Sequence, residues 1–182
     1  PRAHDGTITT ERPDVMWGTD TVTTAEGMAT VFVAVDHCNS ECIGIHAAAT
    51  GDRFEALEPI HQGIREHFDG VQEGCATGLT LRHDNGSAYM SDHFQKQVAF
   101  LGIESSPSFV RQPEGNGCSE RFIRTLKENA LWVRYFATVE ELRLALLEFK
   151  RVYNEQWLLQ RHNYQTPTQV RLNCEQELAK AA

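Results

Sequence analysis

The stretch that most limits how this chain can fold is Met28–Val35, MATVFVAV, a nearly unbroken apolar run rich in β-branched residues. A strand with one wet face would alternate polar and apolar residues. A strand without that alternation is buried on both faces and needs cover above and below its sheet. The run is far too short to cross a bilayer, which takes roughly 20 residues. It therefore belongs to the interior of a globular α/β domain.

Its neighbours in sequence extend the sheet. Asp14–Thr24 carries Val15, Trp17, Val22 and several threonines, a strand composition, and Glu41–Ala48 reads as a third strand after a polar turn at Asp36–Ser40. Three strands so closely spaced form an antiparallel meander. The period then changes. Within Asp52–Phe68, the positions Leu57, Ile60/His61, Ile64 and Phe68 recur at helical spacing. Gly70–Gly78 is loop, Leu79–His83 a fourth strand, Ser91–Leu101 a second helix stopped by Gly102, and Ile103–Ser106 a short fifth strand. Ser108–Cys118, rich in Pro, Gly and Asn, reads as a mobile loop. A third helix is expected over Ser119–Trp132. A fourth runs from Thr138, where Thr-Val-Glu-Glu spells a capping box, to about Tyr153, and a last one follows Thr166-Pro167. This order suits a five-stranded mixed sheet flanked by α-helices, with the first three strands antiparallel.

Composition adds exclusions. The chain has 182 residues, enough for one compact domain with its own core, and Pro1–Thr10 lacks an apolar signal core. Together with the absence of a membrane-spanning run, this predicts a cytoplasmic protein. Five cysteines, an odd number with no C-x-x-C pair, argue against a disulfide framework. Cys38, Cys42 and His46 have spacings that can be imagined around zinc. No second ligand pair follows, so they read as free thiols and a histidine in two strands and their turn. The net charge of −8 is the opposite of a basic nucleic-acid footprint, so any DNA partner would demand a separate binding segment.

Three carboxylates stand in chemically pointed places. Asp20 interrupts the first strand, where burying a charge is costly unless it is paired or metal-bound. Asp84 follows the fourth strand in His83-Asp84-Asn85-Gly86-Ser87-Ala88-Tyr89, where a simple turn aspartate is an alternative. Glu120 opens the third helix, with Arg124 and Lys127 on its side of the wheel and Phe122, Ile123 and Leu126 on the other. An i,i+4 ion pair accounts for Glu120 and Arg124, but it leaves Lys127 on the same face unexplained. His83 reads equally as a packing histidine or as a substrate contact.

The order Asp20, Asp84, Glu120, with 35 residues between the last two, resembles the D,D-35-E arrangement of retroviral integrases. The chain is more similar still to bacterial insertion-sequence transposases with an integrase-type core. The similarity rests on Trp17-Gly18-Thr19-Asp20, on Asp84-Asn85-Gly86-Ser87-Ala88-Tyr89, and on Gly115-Asn116 followed by Glu120-Arg121-Phe122 and Thr125-Leu126-Lys127. Tyr153-Asn154 and Thr166-Pro167 resemble the family's tail; Gln160-Arg161-His162-Asn163 departs from it, with Trp157–Gln160 as extra residues.

The resemblance implies a ribonuclease H-like fold, with residues 1–13 as an irregular lead-in, 14–155 as the integrase-type catalytic core and 156–182 as a tail with the last helix. It implies a transposase that nicks DNA 3′ ends and transfers the strand, using two Mg²⁺ (or Mn²⁺) ions held by Asp20, Asp84 and Glu120. Asn116, Arg124 and Lys127 would contact DNA, with the Gln112–Cys118 loop holding the strand. Element ends and target DNA would be partners, a dimer the working form, and an N-terminal DNA-binding segment a further part of the full protein. Trp132 and Leu146 can serve a dimer interface, though both also read as core. Other readings are a ribonuclease H-like nuclease without joining activity, a catalytically silent DNA-complex scaffold, and a plain interaction domain.

Overall fold

The computed structural model describes residues 8–24, 27–108 and 116–181. The strands are β1 (Met16–Thr23), β2 (Thr30–Asp36), β3 (Cys42–Ala48), β4 (Thr80–His83) and β5 (Glu104–Pro107). The helices are α1 (Glu58–His67), α2 (Asp92–Phe100), α3 (Gly117–Leu126), α4 (Val139–Gln156) and α5 (Pro167–Ala181). The sheet order is β3-β2-β1-β4-β5. The meander is antiparallel, while β4 joins β1 and β5 joins β4 in parallel. This is the five-stranded mixed sheet expected from the strand pattern.

β2 behaves as its composition demands. Val31, Val33 and Val35 enter one core with Phe122, Leu126, Leu142 and Leu146. Phe32 and Ala34 enter a second core, on the opposite face, with Trp17, Ile60, Ile64 and Phe94. Helices α3 and α4 thus cover one face, and α1 and α2 the other. On the α1 side the approach is tight, because a Cβ on Gly63 would stand 2.0 Å from Ile43 Cγ2.

β3 is an edge strand, whose outward backbone groups would be costly to bury unpaired. Side chains of two helices meet them. The Gln62 amide both donates to and accepts from the Ile45 backbone. Asn154 does the same at Cys42, at 2.9 Å each way. Lys150 donates to the Ile43 carbonyl and Arg143 to that of Ala47. The Tyr153-Asn154 pair of the tail is therefore a packing and edge-capping device: Tyr153 lies edge-on to Phe122 at 4.8 Å.

Helix ends follow the sequence closely. Thr138 accepts from the Glu141 N–H, and Glu141 reaches back to the Ala137 N–H, one residue beyond the usual capping-box partner. Thr166 and Gln169 form the reciprocal box at α5, with Pro167 at the first helical position. Three boundaries differ from expectation. The first helix starts properly only at Glu58, after a 3₁₀ turn at Glu55–Leu57. The third starts at Gly117, inside the stretch read as loop, whose residues 109–115 lie outside the described residues, as do 1–7 of the lead-in. That helix ends at Leu126 and passes into a π turn at Lys127–Leu131, an irregularity that hydrophobic spacing does not encode.

Helix α5 fully buries only Pro167 and Arg171, so an ion clamp holds it rather than an apolar face. Arg171 donates to Asp14 Oδ2 at 2.6 Å and also to Glu41, and Asn39 donates to the Pro167 carbonyl at 3.1 Å. Removing the guanidinium leaves Glu41, whose side chain is 6% exposed, a buried charge with only the Asn39 amide and, at 3.8 Å, His67 beside it. Arg171→Ala should therefore cost about 3 kcal/mol in urea-denaturation stability; a loss below about 1 kcal/mol would show that the clamp is not what holds α5.

Candidate active site

β1 sits at the middle of the sheet, and its pleat sorts its side chains. Trp17 and Thr19 face the α1–α2 core, where Thr19 Oγ1 lies 3.3 Å from the Tyr89 hydroxyl. Alternation sends Gly18, Asp20 and Val22 to the α3 side, and Val22 is part of that core. β4 runs parallel to β1 with Arg82 opposite Gly18. Two residues further along both strands stand Asp20 and Asp84. Leu81 and His83 are buried towards Phe94, so Asp84, one step on, takes the α3 side as well.

Asp84 is exposed, and its Oδ1 accepts from the Gly86 N–H at 2.7 Å. The turn reading of Asp-Asn-Gly is correct as local structure, and it leaves the second carboxylate oxygen outside that bond. Asn85 ties the turn to the end of β5 through the Ser108 carbonyl at 2.8 Å. Glu120 lies in the first turn of α3, exposed, while Phe122, Ile123 and Leu126 are buried. Arg124 is exposed and Lys127 half-buried. Within α3 burial agrees with the wheel drawn from the sequence, while Lys127 stands just past the helix at the start of the π turn.

Asp20 is the half-buried member of the trio. Burial pushes its carboxyl up to about 6, from an ordinary 3.8. The Thr21 N–H, which it accepts at 2.8 Å, opposes that rise; the charges of Asp84 and Glu120 add to it, and Lys127 subtracts. Asp84, Glu120 and Lys127 are thus near enough to bear on the Asp20 charge, although desolvation is the larger cause and the ligand atoms of the three acids do not all fall within 4.8 Å of one another.

Other candidates fall elsewhere. His83 is fully buried, stacked on Tyr89; its Nδ1 meets the Asp84 carbonyl at 2.6 Å and its Nε2 the Ser105 hydroxyl at 2.8 Å. With both nitrogens engaged, it packs behind the acids. Asn116 is turned inward, donating from Nδ2 to the Thr19 carbonyl at 3.1 Å. Cys38, Cys42 and His46 do not converge: Cys38 lies against Cys174, the Cys42 thiol on the Gly44 carbonyl, and His46 on Glu55. The cysteines are free. Among the described residues, one acidic group has ligand atoms all within 4.8 Å of one another: Glu41, Glu66 and His67, near the start of β1. There Arg171 and Lys150 already neutralise the two glutamates. Leu146 is buried, whereas Trp132 is 64% exposed, which removes it from the core.

A mixed sheet in this order with helices on both faces makes this a ribonuclease H-like fold. Residues 101–167 match the family model described as Integrase core domain, a span that holds Glu120 and the tail residues but not Asp20 or Asp84. Among curated proteins, the chain is similar to the Putative transposase InsD for insertion element IS2E of Escherichia coli (strain K12). The two are 26% identical over 132 residues, covering 70% of this chain and 60% of the relative. It is similar at the same identity to Transposase InsD for insertion element IS2A/D/F/H/I/K of Escherichia coli, covering 43% of that protein. The chain thus spans about half the length of the curated relatives it matches. Among solved structures, the catalytic core domain of BIV integrase superposes with a TM-score of 0.66 at 19% identity, covering 93% of this chain and 99% of that one. The HTLV-2 integrase catalytic core domain in complex with magnesium gives 0.65 at 17%, covering 88% and 98%. The chain is thus similar to an integrase core domain over residues 101–167 and to insertion-element transposases over 132 residues, and it shares the fold of retroviral integrase catalytic cores.

The raised Asp20 carboxyl makes a stability prediction. Burial penalises the ionised form, so the cost is full above about pH 6 and gone below about pH 4, where the group is protonated folded or unfolded. In EDTA, Asp20→Asn should raise stability at neutral pH by an amount on the order of 1–3 kcal/mol, and the gain should vanish in acid. Urea denaturation at both pH values checks this, and a variant less stable than wild type at neutral pH would contradict it.

Proposed function

We propose that this chain carries the catalytic core of a DNA transposase, within residues 14–155, and that it nicks 3′ ends at element termini and joins them to target DNA. The observation that carries the reading is placement: Asp20 and Asp84 stand at matching positions on adjacent parallel strands, and Glu120 lies in the first turn of the helix packed against β1. A half-buried carboxylate beside two others is costly to keep ionised, and a divalent cation offsets that cost.

The donor set fits Mg²⁺ or Mn²⁺. It is all carboxylate oxygen, the ligand type these hard cations take, and the nearby His83 has no free nitrogen to draw a softer metal. Asp20, Asp84 and Glu120 would hold two ions. When bound, these would activate the attacking oxygen and stabilise the leaving oxygen of a phosphodiester. The chain's own part is to aim and to hold. The Asp84 turn is pinned by Gly86 and Asn85, and the apolar face of α3 fixes the direction in which Glu120 points. Arg124 and Lys127, one and two turns further along that face, would take the DNA phosphates. Such contacts position the strand without reading its sequence. With a net charge of −8, tight binding to element ends would come from a further DNA-binding segment. The working form would be a dimer acting on DNA in the cytoplasm.

Two outcomes test the reading. With labelled element ends and Mg²⁺ or Mn²⁺, Asp84→Asn should abolish both nicking and joining while circular dichroism shows a folded chain. Joining at the wild-type level by this variant would defeat the assignment, and wild-type nicking without joining would favour a nuclease. Lys127→Ala should weaken binding of end DNA and lower the slope of log affinity against log salt by about 1; an unchanged slope would remove Lys127 from the phosphate contacts.

A further inference from the structure

The residues that flank the acids, Gly18 two before Asp20 and Asn116 and Ser119 just before Glu120, meet in space. A Cβ built on Gly18 would stand 2.5 Å from Ser119 Oγ, 2.6 Å from Asn116 Oδ1 and 2.8 Å from His37 Nε2. All three atoms are buried, and none has a hydrogen-bond partner among the described residues. His37 and Ser119 are fully buried and Asn116 is 6% exposed. Three orphaned polar atoms around one core position are costly if their hydrogen bonds are left unmade.

Their chemistry is complementary to a single small partner. His37 Nδ1 lies 2.8 Å from the Ile8 carbonyl, which can only accept, so Nδ1 carries the proton and Nε2 presents a lone pair. Asn116 donates through Nδ2 to the Thr19 carbonyl, so its Oδ1 is an acceptor. Ser119 offers a hydroxyl that can donate. Two acceptors and one donor are what one water molecule satisfies, giving its two protons to His37 and Asn116 and accepting from Ser119.

We propose that His37, Asn116 and Ser119 hold one buried water against Gly18, and that this knot fixes the start of α3, hence Glu120, relative to the Asp20 strand. It rests on the proposed role of the acids as metal ligands, and it makes His37 and Ser119 positioning residues. Gly18 is required because any side chain there takes up the space in which the three groups meet. Asn116 contributes through the same knot, its donor tying α3 to the carbonyl next to Asp20.

A high-resolution crystal structure of the wild-type chain, with or without metal, tests the water directly. Density bridging the three atoms supports the proposal; side chains bonded directly to one another, or turned apart, overturn it. The coupling to the acids is read by calorimetric titration with Mn²⁺. His37→Leu and Ser119→Ala should weaken binding by roughly tenfold, in the range seen when a ligand's supporting hydrogen bond is lost. His37→Gln, which keeps an acceptor where Nε2 stands, should restore most of it. Wild-type Mn²⁺ affinity in His37→Leu would overturn the positioning role, because a purely structural histidine would lower the melting temperature and leave affinity unchanged. Should the wild type bind no Mn²⁺, the metal role of the acids fails and the positioning role with it, while the density still decides whether the water is there.

Discussion

Everything in this molecule is arranged around the pleat of β1. A central strand has no free face: odd and even residues must each find a partner layer. Here Trp17 and Thr19 go to the α1–α2 core, and Gly18, Asp20 and Val22 go to the α3 side. Shifting that register by one residue would bury Asp20 behind Tyr89 and push Trp17 into α3. The parallel partner β4 then has no choice about where Asp84 emerges, and α3, held by Phe122, Ile123 and Leu126, has little choice about Glu120. The site follows from strand parity together with one amphipathic helix.

Such a site carries a cost that the rest of the fold must cover. The Asp20 carboxylate is half-buried and pushed up to about 6, a local penalty of the kind that active sites retain. The compensation lies in the two cores and in the pairing of polar groups along the outer edge of β3 and around Arg171. Gln62, Arg143, Lys150 and Asn154 serve the outer edge of β3, and Arg171 joins Asp14 to Glu41. Among buried side chains, several of the atoms left without partners gather beside the acids, at His37, Asn116 and Ser119.

Much of this was legible in the sequence because it depends on period. MATVFVAV reads as a doubly buried strand, Thr138 and Thr166-Pro167 announce their helices, and the spacing of Phe122, Ile123 and Leu126 marks the buried face of α3. What the sequence hid depends on distance instead. Nothing in the spacing of His37 and Gly18 from Ser119 says that they touch, and His83 could not be assigned until Ser105 was found against its Nε2. Asn116, expected to contact DNA, proves to be buried, its amide nitrogen committed to the Thr19 carbonyl. The π turn after Leu126 and the exposure of Trp132 escaped the same reading, since an apolar residue at a helix end carries no mark of which way it faces.

The side chains laid along β3 have a consequence for how copies of this chain can associate. An unpaired strand edge is the usual route by which sheets join or aggregate, and here it is occupied from within. The opposite edge, β5, is four residues long and ends on Pro107, which offers little to an incoming strand. Self-association is thereby steered away from sheet extension and towards helical surfaces, where Leu144 and Leu147 of α4 stand 62% and 48% exposed. An assembly built that way leaves the middle of the sheet, and the acids beside it, undisturbed.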